Sequence, residues 1–450
     1  MALVTDLTAR RLEAVLAEEQ RQGRVPSVVA ALTRDGSLVW RGSRGDATGV
    51  AGTRPPELQY RIGSITKTMT AVVVLRLRDE GRLGLNDPVT AYLPEVGRDD
   101  LAVRTLLAHS SALAAEPEGE WWERVEGGSF GDLLTRVGTA ALEPGATYHY
   151  SNLAYGLLGE IVARVDGRSW WESVSARLLG PLGMLRTGYD PSDPHAQGWS
   201  VAPYSPMLVA EPAADTRAMA PAGQVWSTAL DLATYAGFLV AGHPDVLARS
   251  TLEEMATPQS GTAADGMAHG YGLGLRLVPG GSGTLVGHTG SMPGFQAALL
   301  VDRPRRTGAV VLANSTTGLR PELVARRLLE VLEKCEPTLD PPWTPVGSVP
   351  ADVEEVLGVW HWGNTAQLIT WDGEALHLEN LGAGARSSSF GRIGSAFVGT
   401  SGYHHGEELT VVRRPDGTVS HLVVSTFVLT RAPYDPEAPI PGGVPVTGPG

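Results

Sequence analysis

A single cysteine, Cys335, serves a chain of 450 residues, so no intramolecular disulfide, thiolate zinc site or Cys-x-x-Cys redox pair can form. Lysine is almost as scarce: Lys67 and Lys334 are the only two among 36 basic residues. Positive charge is short overall. A net charge of −13 and an isoelectric point near 5.4 argue against nucleic acid, which rewards clustered Lys and Arg, and against an anionic membrane surface. No apolar run is long enough for a transmembrane helix. Residues 1–24 carry Asp6, Arg10, Arg11, Glu13, Glu18 and Glu19 at helix-like spacing, where a signal peptide would need an apolar core and a small-residue cleavage site. These absences predict a cytoplasmic protein with neither nucleic-acid nor membrane partners.

What is present is enough apolar residue, 42% of the chain, for more than one core. Ser27–Arg34 and Leu38–Arg44 flank Asp35-Gly36, a two-residue hairpin signal. Residues 64–80 form an apolar-striped helix ended by Gly81, Ser151-Asn152 caps a helix through Val165, and Ser227 opens another through Val240. Strands return near 284–286, 296–301 and 308–313, followed by a helix over 321–332. Strands at both ends with helices between predict an α+β domain, residues 1–335, carrying a helical insertion.

Residues 336–350 hold Pro337, Pro341, Pro342, Pro345 and Pro350 and read as a stiff linker. Beyond it, short β-like runs at 359–362, 368–371, 375–380, 396–400, 408–413 and 419–429 predict a small antiparallel sheet or barrel over 351–433. A Pro/Gly-rich tail, 434–450, ends the chain.

The scarcity of lysine makes the position of Lys67 informative, because it stands three residues after Ser64. A buried amine can be driven towards neutrality and act as a base, which a guanidinium cannot do. A serine at a helix N-terminus has an unpaired backbone N–H at the positive end of the helix dipole, and the i, i+3 spacing puts the amine on the same face. Tyr150-Ser151-Asn152 would project a phenol and a carboxamide from one turn after Pro144-Gly145, the phenol to share proton transfer and Asn152 to hold a substrate amide. His288-Thr289-Gly290 ends a strand where glycine lets backbone approach a ligand closely. Each motif alone is weak. Two decoys are set aside: Gly127-Gly128-Ser129-Phe130-Gly131 lacks the apolar strand of a nucleophile elbow, so Ser129 reads as a helix cap, and His404-His405 lacks a third metal ligand and reads as a solvated turn.

The three motifs in this order resemble the active-site serine penicillin-recognising enzymes, especially their class C β-lactamase-like branch, over most of residues 10–335. Leu106-Leu107-Ala108-His109-Ser110-Ser111, Pro181-Leu182-Gly183-Met184, Pro221-Ala222-Gly223-Gln224 and Tyr271-Gly272-Leu273-Gly274 add weaker likeness. The resemblance implies that Ser64 is acylated and that Lys67 and Tyr150 move its proton, Tyr150 also serving the leaving group. It further implies that Asn152 contacts the acyl amide, that His288, Thr289 and Gly290 line the opposite wall, and that the N–H groups of Ser64 and Ser291 form the oxyanion hole. No metal and no cofactor enters. The departure is His288, where β-lactamases carry lysine; this weakens recognition of a β-lactam carboxylate.

The second domain looks like the lipocalin-like barrel of cytoplasmic relatives, with Leu357-Gly358-Val359-Trp360 similar to its opening strand. Among these relatives, the penicillin-binding-protein-type thioesterases cyclise nonribosomal peptides from a thioester next to a D-residue. That implies a peptide cyclase whose substrate is a peptide thioester or amide, presented as a phosphopantetheine thioester or on a carrier protein. A D-stereospecific peptidase or esterase, a β-lactamase and a non-catalytic module stay open as alternatives. Trp360, Trp362 and Arg431 are candidates to wall the substrate channel, against the simpler reading of two core tryptophans and a solvated arginine.

Overall fold

Asp35 and Gly36 take φ of 51° and 75°, the mirror-type turn whose twist suits a tight hairpin. They join β1 (Ser27–Arg34) to β2 (Ser37–Gly45). The computed structural model describes residues 3–46, 57–136, 148–261, 270–281, 283–339, 342–345, 347–382 and 386–443; the Pro144-Gly145 turn, Pro341 and the end of the tail lie outside them. The chain divides into two units, Met1–Leu339 and Asp340–Gly450.

In the first unit, β3 (Gly270–Tyr271), β4 (Arg276–Gly280), β5 (Gly283–Met292), β6 (Phe295–Asp302) and β7 (Thr307–Ala313) complete an antiparallel sheet in the order β2-β1-β7-β6-β5-β4-β3. The first and last strands of the unit are therefore neighbours, with Val29 opposite Leu312, and the helical region is inserted between β2 and β3. Period-two alternation divides the central strands between two cores. Val28, Ala30 and Leu32 of β1 pack with Leu12 and Leu16 of α1 (Asp6–Gly23) and with Val324 and Leu328 of the last helix of this unit. Val29 and Ala31 face the other core, shared with Met69, Val72 and Val73 of α2 (Ile65–Asp79). Both faces being covered explains why β1 and β7 read as unbroken apolar runs.

The helical insertion includes α3 (Asn152–Asp166) and α4 (Ala229–Ala241). Thr228, not Ser227, caps α4: its side chain accepts from the Asp231 N–H, while Ser227 lies in a two-residue strand paired with Tyr60. The unit closes with α5 (Pro321–Cys335). Ser129 caps a short helix in a reciprocal arrangement with Asp132, as its sequence context predicts.

In the second unit, β8 (Gly358–Trp362), β9 (Thr365–Trp371), β10 (Leu376–Asn380), β11 (Ser387–Ile393), β12 (Ala396–Gly402), β13 (Glu408–Arg413), β14 (Val419–Val424) and β15 (Phe427–Thr430) form a closed, lipocalin-like antiparallel barrel. Closure is by His361 against Thr430, which leaves no edge strand to aggregate. Two expectations are corrected. Strand β11 is not foreseen from the sequence, because Ser387, Ser388 and Ser389 carry no apolar alternation. The run 419–429 is two strands, since Ser425 turns at φ 53°.

Trp360 is fully buried in the barrel core beside Phe390 and Leu422, and its Nε1 donates to the Val356 carbonyl at 2.7 Å. It presents no surface to a ligand. Arg431 is not freely solvated either: its guanidinium lies 3.8 Å from the centre of the Trp360 ring and donates to the carbonyls of Glu355, Leu357 and Val359. The pair clasps the opening of β8 to the end of β15. Trp362 is 42% exposed, with its ring centre 4.6 Å from that of Phe427. His404 departs from the solvated turn expected of it, being buried, hydrogen-bonded to Glu407 and stacked on Phe390.

Candidate active site

Ser64 precedes the first turn of α2 and makes no side-chain cap bond. Ser151 does make one at α3, its Oγ accepting from the Ala154 N–H at 3.1 Å. The contrast matters because the Ser64 hydroxyl is left free for Lys67, whose Nζ lies 3.0 Å away. Lys67 is wholly buried, and Nζ donates to the Ala222 carbonyl at 2.6 Å. Burial lowers its pKa to about 7, against the opposing pull of Glu116 and Glu123. The neutral form is thereby brought within reach at neutral pH, and a neutral amine with one N–H tied to Ala222 can accept the serine proton.

Tyr150 and Ser64 line the same cavity, and the Tyr150 ring centre is 5.1 Å from Lys67 Nζ. Burial raises its pKa well above that of a free phenol. It is a phenol, not a phenolate, at neutral pH, so of the two groups Lys67 is the one able to accept a proton and Tyr150 the one able to donate. His109 holds this turn from behind. Its Nδ1 accepts from the Ser151 N–H at 3.0 Å, its carbonyl accepts from the His149 N–H at 2.7 Å, and its ring centre is 4.2 Å from that of Tyr150. Asn152 donates through Nδ2 to Glu116 at 2.7 Å, which turns its side-chain carbonyl away from Glu116.

The His288-Thr289-Gly290-Ser291 segment belongs to β5 and reaches Ser64 through two glycines. A Cβ on Gly290 would fall 1.9 Å from the Ile62 carbonyl oxygen, and one on Gly63, at φ 53°, would fall 2.6 Å from Ser291 N. Only glycine at both positions lets the two backbones run side by side. The N–H groups of Ser64 and Ser291 are thereby placed at one mouth. Ser64, Tyr148, Tyr150, His288, Thr289, Gly290 and Ser291 line one cavity of about 580 Å³.

With all three motifs gathered on this cavity, a family model, Beta-lactamase, matches residues 11–333. The chain belongs to the beta-lactamase family. A second model, a domain of unknown function (DUF7586), matches residues 349–431, the barrel. Beta-lactamase-like protein 2 of Dictyostelium discoideum is 24% identical over 347 residues, covering 72% of this chain and 63% of that protein. The chain spans 63 to 66% of the length of such curated relatives. Among solved structures, SurE is 25% identical with a TM-score of 0.59, the match covering 95% of this chain and 99% of SurE; another of its structures holds D-Leu. A D-stereospecific amidohydrolase from a Streptomyces species is 26% identical with a TM-score of 0.58, covering 73% of this chain and 97% of that protein. The beta-lactamase family is one of serine hydrolases and acyltransferases. Among the described residues no helix is long and apolar enough to cross a membrane.

The third motif carries His288 as its first residue. His288 is held neutral by burial and by the nearby Lys67 charge. Its Nδ1–H donates to the Thr289 carbonyl, which leaves Nε2 to accept from the Tyr271 hydroxyl at 2.9 Å. A guanidinium on the neighbouring strand is tied to the same motif: Arg276 Nη1 donates to Thr289 Oγ1 at 3.1 Å and to Glu322 Oε2 at 2.8 Å. Sequence reading missed Arg276, Glu116 and Arg320, another residue lining the cavity. One arginine among many carries no signal, and each arrives at the site from a different element.

Proposed function

We propose that the protein is a stand-alone peptide cyclase that acylates Ser64 with a peptide thioester ending in a D-residue and releases it as a macrolactam. The observation carrying this reading is the match to SurE, which runs through both units and covers nearly all of each chain, in a protein another of whose structures holds D-Leu. The amidohydrolase match covers a smaller share of the chain. In the proposed cycle, the Ser64 hydroxyl passes its proton to neutral Lys67 as Oγ attacks the thioester carbonyl. The N–H groups of Ser64 and Ser291 hold the oxyanion. Collapse expels the thiolate, which takes a proton from Tyr150 as Lys67 re-protonates the phenol. The peptide's own amine then attacks the Ser64 ester, loses its proton to the same relay and frees the serine. Tethering gives that amine an effective concentration water must overcome. Asn152 holds the acyl amide, and His288 fixes Thr289 and Tyr271 on the facing wall.

Mass spectrometry of products from linear peptidyl thioesters ending in a D- or an L-residue tests this, with Ser64→Ala as control. A Ser64-dependent cyclic product from the D-ended peptides alone is expected. Linear acid as sole product would replace the cyclase with a D-stereospecific hydrolase.

The same relay fixes the pH profile. With the Lys67 pKa at about 7, the active base is the deprotonated form, present above that value and lost below it. For a substrate that does not ionise, kcat/KM is expected to fall about tenfold per pH unit below about 7 and to stay level up to pH ~9. A rate still climbing through pH ~9 would assign the base to a group with an ordinary lysine or tyrosine pKa.

A further inference from the structure

In the second unit, strands β10 and β11 bring another serine against a histidine. His377 stands directly opposite Ser389 in their antiparallel register, so the two side chains share one face of the sheet. That face is the outer one. Ser388 and Phe390, on either side of Ser389, are buried in the barrel, while Ser389 and His377 are half-exposed. Ser389 Oγ lies 3.1 Å from His377 Nδ1, and His377 Nε2 lies 2.8 Å from Asp372 Oδ2. Asp372 follows β9 in the turn to β10, where its Oδ1 accepts the N–H groups of Glu374 and Ala375, each at 2.8 Å. One carboxylate oxygen is thus spent on the turn, and the other is held against the imidazole.

The proton positions follow from what each group can donate. The Ala375 N–H, with His377 and the Glu374 N–H, holds the Asp372 carboxyl well below the usual carboxylate range, so it is ionised and only accepts. The hydrogen between them therefore sits on Nε2. In the neutral ring that leaves Nδ1 bare, and the Ser389 hydroxyl is its donor. A serine, a base within hydrogen-bond reach and a carboxylate that orients the base are the parts of an activated nucleophile, recognised by geometry and not by order in the chain.

We propose that Ser389 is a second acyl-accepting serine, with His377 as its base and Asp372 as the group that orients His377. Oγ attacks the carbonyl of an ester as its proton passes to Nδ1. The Oγ–C bond forms, the bond from carbonyl carbon to the alcohol oxygen breaks, and the imidazolium, stabilised by Asp372, returns the proton to the departing oxygen. The products are acyl-Ser389 and one alcohol. Because the strand face is open to solvent, binding supplies little of the driving force, and the acyl donors are small esters with a good leaving group. Nothing in this reaction draws on Ser64, so it stands whether or not the cyclase reading does.

Acetylation of the full-length Ser64→Ala chain by p-nitrophenyl acetate, followed residue by residue with peptide mapping by mass spectrometry, tests this. Ser401 is the internal comparison: it is exposed, lies opposite Ser389 on β12, and makes no hydrogen bond to an imidazole among the described residues. Ser389 is expected to acetylate about 10²-fold faster than Ser401, the low end of what a positioned base contributes. His377→Gln should remove that advantage, and Asp372→Asn should reduce it by about tenfold or more. The comparison of the two serines within one chain does not depend on how a barrel variant folds, and a thermal melt establishes that each variant does. Ser389 acetylating no faster than Ser401, or equally fast in folded His377→Gln, would overturn the proposal.

Discussion

Lys67→Arg is expected to lower kcat/KM by about 10³-fold, the middle of the range for a lost general base, although charge is conserved and the side chain stays hydrogen-bonded. The reason is in the burial. Lys67 is 0% exposed, and its pKa is near 7 because desolvation outweighs the two carboxylates that favour its charged form. An arginine in that place stays protonated and cannot accept the Ser64 proton. Ser64 labelling by a fluorophosphonate should slow in parallel, because activation of the hydroxyl precedes either reaction. The rise of rate through pH 7 should vanish as well. A Lys67→Arg enzyme within tenfold of wild type would remove Lys67 from the role of base and leave it as a charge that positions Ser64.

The residues that carry this prediction are legible in the sequence alone because their types are chemically constrained. In a chain that spells nearly every cation as arginine, a lysine one turn from a serine marks an amine that must lose its proton. The same constraint makes the Asp35-Gly36 hairpin and the Ser151 cap legible, since few residues accept positive φ or supply a capping oxygen. What stays hidden is decided by packing. Ser387–Ser389 enters the barrel as part of β11 because neighbouring strands complete its ladder, with Ser388 opposite Gly402 and Leu378 opposite Ser388, not because of any pattern of its own. Arg431 reads as solvated in sequence, and it becomes a clasp only when closure of the barrel brings residue 431 over the Trp360 ring. Arg276, Arg320 and Glu116 likewise gain meaning only from the elements that meet them. What the sequence does not show of His288 is how its ring is held, with Nδ1 on the Thr289 carbonyl and Nε2 on the Tyr271 hydroxyl.

The glycines between β5 and α2 carry the second large effect. Gly290→Ala is expected to reduce kcat by about 10² to 10³, the loss typical of one oxyanion-hole donor, with a smaller change in KM. A methyl at Gly290 would stand 1.9 Å from the Ile62 carbonyl oxygen and 3.2 Å from Ser64 N. Its nearest neighbour is backbone, so no side-chain rotation relieves the clash, and the strand must separate from the turn before Ser64. That separation moves the N–H of Ser291 away from the N–H of Ser64, while the Lys67 and Tyr150 contacts, which come from α2 and the turn before α3, remain in place. The variant therefore distinguishes the two halves of catalysis. Far-UV circular dichroism and a thermal melt establish that it folds, and the pH at which activity rises should still be near 7 because the base is untouched. A folded Gly290→Ala enzyme with wild-type kcat would show that the Ser64–Ser291 mouth does not hold the oxyanion. A large drop accompanied by a shifted pH profile would instead mean that β5 also governs the burial of Lys67, so that the strand sets the base as well as the hole.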